Sequence, residues 1–224
     1  MSIMKGLKQM GNIIDRPAPS DGGGTKVRWL KIDDNQSVKV RFINELDEDS
    51  PNYDVARDLA IVVSEHTNPK DYKRKAVCTM ESDGRCYGCE MARKQTEADR
   101  KNGSWKARFR FYTNLLVDDG MEDPYVAVWS QGVGKQSAFN TLKEYAIETG
   151  SISNRTWRMK RQGTGTDTVY ILLPGDPDSE KYNWNGIQPY PLEKVVRELP
   201  YAEQESFYLG FDLPTSSNTA NINW

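Results

Sequence analysis

One histidine and three cysteines, the only ones in the 224-residue chain, fall within a single stretch, His66 to Cys89 (HTNPKDYKRKAVCTMESDGRCYGC). Eleven residues separate His66 from Cys78, seven separate Cys78 from Cys86, and Cys86-Tyr87-Gly88-Cys89 is a CxxC turn. One imidazole and three thiolates make a complete tetrahedral donor set for zinc, an ion that accepts soft and borderline ligands. The CxxC spacing lets both thiolates of a tight turn point at one ion, with Gly88 supplying backbone conformations that a side chain would forbid. Plainer readings of the same residues are one disulfide with a spare thiol, and a histidine that is merely polar. Nothing in the sequence marks an oxidising compartment, and the CxxC lacks the βαβ context of a redox motif, so a metal is favoured. Four protein donors leave no open coordination position, so the expected Zn2+ is structural and not catalytic.

The elements that must position these residues are read from periodicity. The segment Ser37 to Ile43 alternates, with Val38, Val40 and Phe42 on one face and Lys39 and Arg41 on the other. An acidic turn, Glu45 to Asp49, ends it, and the apolar run Leu59 to Val63 leads into His66, so the metal stretch reads as an insertion hung on a strand end. Lys70, Lys73, Arg74 and Lys75, with Tyr72 among them, lie between His66 and Cys78. After Cys89 a charged helix is expected to run to Gly103. Trp105 to Val117 is the strongest strand: Trp105, Ala107, Phe109, Phe111, Leu115 and Val117 share one face, and Lys106, Arg108, Arg110, Tyr112 and Asn114 the other. Tyr125 to Trp129 returns from the turn at Asp118-Asp119-Gly120, with Tyr125 and Trp129 facing outward. Lys135 to Thr149 reads as an amphipathic helix ending at Gly150. Asn154 to Gln162 and Asp167 to Leu173 form a last hairpin around a Gly-Thr-Gly-Thr turn; Arg155, Arg158, Lys160 and Arg161 crowd its first strand around Trp157. In its second strand Val169, Ile171 and Leu173 point one way and Tyr170 the other.

Short antiparallel strands with one helix before the last pair suit a mainly β fold, a five-stranded Greek-key barrel of the oligonucleotide-binding (OB) type with the Cys3His module inserted. Residues 1–25 read as an N-terminal arm and linker, the arm (residues 1–14) amphipathic with near-helical spacing. Residues 26–175 read as the barrel with the zinc module at about 64–102, and 176–224 as an extension, partly helical and then flexible. Net charge is −2 and mean hydropathy −0.74, with six Trp, eleven Tyr and six Phe, so any nucleic-acid preference must come from local arrangement. No apolar run reaches the ~18 residues of a membrane span and no signal peptide heads the chain, which points to a soluble, cytoplasmic protein.

The outward positions of this barrel are Lys39, Arg41, Lys106, Arg108, Arg110, Tyr112, Tyr125, Trp129, Arg158, Lys160 and Tyr170. Tyr72, Lys73, Arg74, Trp157 and Arg161 are added as nucleic-acid contacts beside them, and the zinc stretch is expected to fold over the face as the second wall of a groove. Cations track phosphates and aromatic rings accept unpaired bases, so single-stranded nucleic acid is the expected partner. A cation on a strand face is usually just solvated, and an outward aromatic often caps a core; the weight lies in three hairpin segments repeating one pattern.

With His66, Cys78, Cys86 and Cys89 inside such a barrel, and a basic glycine-hinged hairpin at Arg158 to Tyr170, the chain resembles the zinc-binding single-stranded DNA-binding proteins of T-even-like phages. The likeness spans about residues 26–175. It implies a non-enzymatic, largely sequence-independent binder of single-stranded DNA in replication, recombination and repair, working in the cytoplasm of a host bacterial cell. It also implies cooperative contacts between neighbouring protomers through a basic N-terminal arm, and an acidic C-terminal tail that recruits replication proteins. Here the arm offers Lys5 and Lys8 without a dense cluster, and the last 12 residues carry no acid. Among rival readings, a zinc deaminase needs an H-x-E and an open metal position, and His66-Thr67-Asn68 lacks the glutamate. A nucleophilic enzyme lacks a spare histidine, and the carboxylates Asp118, Asp119, Glu122 and Asp123 of a metal-dependent nuclease lie in a turn. A zinc-containing protein-interaction or RNA-binding module is the remaining alternative.

Overall fold

The computed structural model describes residues 3–5, 27–121, 123–180 and 182–211. Most of the expected N-terminal arm, the linker and the end of the C-terminal extension therefore lie outside the described residues. Strands are β1 (Ile3–Lys5), β2 (Ser37–Phe42), β3 (Ile61–Asn68), β4 (Asp71–Val77), β5 (Arg108–Asp118), β6 (Tyr125–Gly132), β7 (Arg155–Gln162) and β8 (Val169–Pro177). Helices are α1 (Met80–Asp83), α2 (Tyr87–Lys94), α3 (Glu97–Lys101), α4 (Ala138–Thr149), α5 (Leu192–Val195) and α6 (Tyr201–Leu209). The expected helical spacing does not hold at residues 3–5, which pair as a strand with Ile61–Val63.

The pairings between these strands are all antiparallel, in the order β1-β3-β5-β2-β7-β8, with β4 joined to β3 and β6 to β5. The eight strands form one sheet, and it does not close, so it is not the five-stranded Greek-key barrel expected. Strand β5 organises it. One edge carries β6 from Arg110 to Val117; the other carries β3 along its first half and β2 along its second. A strand so placed is buried on both faces. Phe111, Leu115 and Val117 join Phe42, Trp129, Trp157 and Met159 in a first core under α4, while Tyr112 joins Ile61, Val63 and Val128 in a second under α5. Gly150 ends α4 in the left-handed conformation (φ 79°), the expected stop.

The second core is the main departure from the sequence reading. The face left open for a ligand is covered in its centre by the C-terminal extension, which contributes Leu192, Val195 and Val196. Asn114 anchors it: its amide donates to the Tyr190 carbonyl (3.0 Å) and its carbonyl oxygen accepts from the Tyr190 N–H (2.9 Å). Satisfying a buried amide with a distant backbone in this way substitutes for water on that face.

Two local readings also shift. His66 sits within β3, so Lys73, Arg74 and Lys75 lie on strand β4 of a hairpin and not in a loop. The single helix expected after Cys89 is two, because Thr96 and Asp99 form a capping box that starts α3 afresh.

Candidate metal centre and nucleic-acid face

His66 comes from β3, Cys78 from the residue after β4, Cys86 from the N-cap of α2 and Cys89 from that helix's first turn. Their donor atoms all lie within 4.8 Å of one another. The Cys78 and Cys89 Sγ atoms are 3.5 Å apart, and Cys89 Sγ is 3.3 Å from His66 Nε2. Metal–sulfur bonds of 2.3 Å give tetrahedral edges of about 3.8 Å, so the donors stand close to coordinating distance. His66 is 1% exposed, and its Nδ1 hydrogen-bonds the Trp105 carbonyl. Because a carbonyl only accepts, Nδ1 carries the proton and Nε2 turns its lone pair toward the cysteines. Burial pushes the Cys89 thiol up, and donation to Cys86 plus burial push Cys78 up. Cys86, which accepts that hydrogen bond, is pulled down to about 3 against its own burial. Three thiolates at this spacing need a cation, and the amino-terminal end of α2 favours negative sulfur at Cys86 and Cys89. The residues therefore fit a metal ion.

Gly88 has a different reason from the one expected. It lies in α2 with ordinary helical geometry, and a Cβ there would sit 2.3 Å from His66 Cγ. The glycine lets the helix press against the imidazole. Gly88→Ala is expected to push the ring aside and weaken metal binding by about 10–100-fold, as loss of a supporting contact does. Competition with a chromophoric chelator measures this, and unchanged affinity would show that the contact is dispensable.

The C-terminal extension braces the centre. The Tyr208 hydroxyl donates to the His66 carbonyl (3.2 Å), and the Asn68 amide donates to the Tyr208 carbonyl (2.9 Å). Gln204, 1% exposed, donates to Thr79 Oγ1 at the N-cap of α1 and to the Leu199 carbonyl, and accepts from the Tyr87 N–H at the start of α2. Trp105 and Tyr208 pack edge to face at 4.9 Å above the ligands. Nothing local in the sequence announced this role for residues 199–208.

Of the expected nucleic-acid residues, Lys39, Tyr72, Lys73, Lys106, Arg108 and Arg158 are exposed, and Arg110 and Lys160 are half-buried. Four are not on the surface at all. Tyr112 (1% exposed) donates to Glu65 and Trp129 (2%) fills the first core, so their expected outward placement is corrected; Trp157 (1%), expected among the nucleic-acid contacts, is buried beside Met159 in the same core. Arg41 (6%) is sealed by a bidentate ion pair with Asp178 and by the Tyr182 ring. Tyr170 turns inward against Trp129, because its partner strand points Trp157 and Met159 into the core and sets the alternation of β8. Val169, Ile171 and Leu173 are exposed instead. Half-buried Tyr125 lies under the Arg28 guanidinium. Arg74 bonds the Phe207 and Gly210 carbonyls, and Arg161 bonds the Ile32 carbonyl.

Exposed and half-buried cations gather in two groups on one sheet face. Glu65 is in register with Val77 on one side and Arg108 on the other, and Thr67 with Lys75, so Lys75, Arg108 and Arg110 share that face of β4-β3-β5, one residue from the candidate ligand His66; Lys73 lies on β4 just beyond the register shift at Thr67. Glu65 lies among them, 3.5 Å from Arg110. Burial first, and then the charge of Arg110, hold the Lys75 ammonium below its usual range. The second group is Lys39, Arg158 and Lys160, on β2 and β7. No described helix is long and apolar enough to cross a membrane. No family model, curated protein or solved structure matches this chain.

Proposed function

We propose that the chain binds single-stranded DNA with little sequence preference, without catalysing a reaction, and that its Cys3His cluster holds one structural zinc ion. Three sulfurs and one imidazole are the donor set that selects zinc over harder ions, and four protein donors complete its preferred tetrahedron. Such an ion ties the β3–β4 hairpin to α2. The observation that carries the reading is the cationic strip Lys75, Arg108 and Arg110 on that hairpin's sheet face, with exposed Lys73 on the same strand as Lys75. Like charges crowded there gain from an arriving phosphate, and exposed Tyr72, on the same strand, offers a ring to an unpaired base. Placement in replication, recombination and repair, and contacts with neighbouring protomers or replication proteins, follow from the likeness to the phage proteins.

Fluorescence anisotropy with a labelled oligo(dT) across a salt series tests this. The wild type should bind at low salt with affinity falling linearly in log salt. Lys73→Ala with Arg108→Ala should flatten the slope by about 1.4, roughly 0.7 for each lost phosphate contact. Absence of low-salt binding, or equal affinity for duplex, would sink the proposal; tighter binding of a matched RNA would move it to the RNA alternative.

A further inference from the structure

The outer face of β2, β7 and β8 carries a second surface that the strip does not reach. Register places Lys39 beside Arg158 and Arg158 beside Leu173; Lys160 stands beside Ile171. Leu173 is 52% exposed, Val169 48% and Ile171 37%, three aliphatic side chains in a row on an edge strand. Asp118, the acid in register with Lys39, lies 3.5 Å from its ammonium. A row of cations thus runs directly alongside a row of apolar side chains.

We infer that this ledge is a second contact site for the same single strand, where Lys39, Arg158 and Lys160 hold phosphates and Val169, Ile171 and Leu173 receive base and sugar faces. The inference rests on the single-strand reading above. A purely apolar row would suit a protein partner; a parallel row of cations matches a polymer whose charged and apolar groups run side by side. Aliphatic side chains touch base faces by dispersion and read no hydrogen-bond pattern, so the site adds affinity without sequence preference. Arg110 and Asp118 stand near opposite ends of β5, eight residues and about 26 Å apart at ~3.3 Å per residue, with the C-terminal extension between them. The two sites are therefore separate footholds, joined only by an oligonucleotide long enough to span that distance.

The two rows predict separable effects. Ile171→Ser with Leu173→Ser should weaken binding of a long oligo(dT) about tenfold at every salt concentration while leaving the salt slope unchanged. Arg158→Ala with Lys160→Ala should flatten the slope instead, by about 1.4. Neither pair should affect an oligonucleotide too short to leave the strip. Both positions of the serine pair are exposed, so the melting curve should match the wild type; should that variant fail to fold, the slope change of the alanine pair decides alone. Wild-type binding that responds to Lys73→Ala with Arg108→Ala but to neither ledge pair overturns the ledge alone. A wild type that binds no oligonucleotide at low salt overturns both readings. Sedimentation that shows a wild-type dimer broken by the serine pair, with oligonucleotide affinity intact, assigns the aliphatic row to a second copy of the chain and overturns the inference.

Discussion

Removing the metal with a chelator is expected to produce a separate, early melting transition, about 10–20 °C below that of the loaded protein. The four candidate ligands tie α2 to the β3–β4 hairpin, whose two strands are already paired. Around them Ala76, Trp105, Leu199, Phe207 and Tyr208 form a third apolar cluster, distinct from the two sheet cores. Structural zinc contributes on the order of 10 kcal/mol in small domains, comparable to what burial of so small a cluster supplies. The first core of Phe42, Leu115 and Trp157 contains none of the four ligands, so the sheet should outlast the module. Near-ultraviolet circular dichroism should lose the signal of the packed Tyr87, Trp105 and Tyr208 rings first. Metal analysis of the loaded protein should give one zinc per chain. Oligonucleotide affinity should fall with the early transition, because the cationic strip shares the β3–β4 hairpin with the ligands. A single unshifted transition after verified metal loss would show that the cluster does not hold the module together.

Glu45→Ala should cost about 3–5 kcal/mol of stability. Glu45 is 2% exposed and accepts four hydrogen bonds from one short segment. The hydroxyls of Ser151 and Ser153 approach at 2.5 Å, and the N–H groups of Ile152 and Ser153 at 3.1 and 3.0 Å. Alanine strands all four donors in a site without water access, beside the indole of Trp157, whose Nε1 bonds the Ile152 carbonyl. Glu45→Gln preserves the shape, and the serine hydroxyls can rotate to suit an amide, so its cost should be less than half as large. Urea titration monitored by tryptophan fluorescence compares the two variants. An alanine variant within 1 kcal/mol of the wild type would mean that the segment finds other partners.

That carboxylate also shows where reading from the sequence runs out. Glu45 opens a run with Asp47, Glu48 and Asp49 that is indistinguishable by composition from a solvated turn. Its partners are more than 100 residues away. The metal centre behaves in the opposite way. Its donors lie within 24 consecutive residues and their chemistry constrains them to one point, so type and spacing alone identify them. The hairpins were legible for a similar reason: period-2 alternation and glycine turns are local, and Gly163, at φ 82°, sits at the bend between β7 and β8 as expected.

What the sequence determined by itself is therefore the set of candidate ligands, the two hairpins β5–β6 and β7–β8 and which side chains share a strand face in them. Alternation cannot say what lies over a face. Tyr112 and Arg41 alternate with cations as exposed residues would, yet the extension from Asp178 to Tyr208 covers that face and buries them both. Arg41 meets its partner 137 positions along the chain, and Asn114 meets Tyr190 76 positions along. Covering that face removes enough apolar surface from water to hold a segment whose own local signals are weak. Only the tertiary structure decides which of two chemically equivalent cations is a structural strut and which is left to meet a ligand.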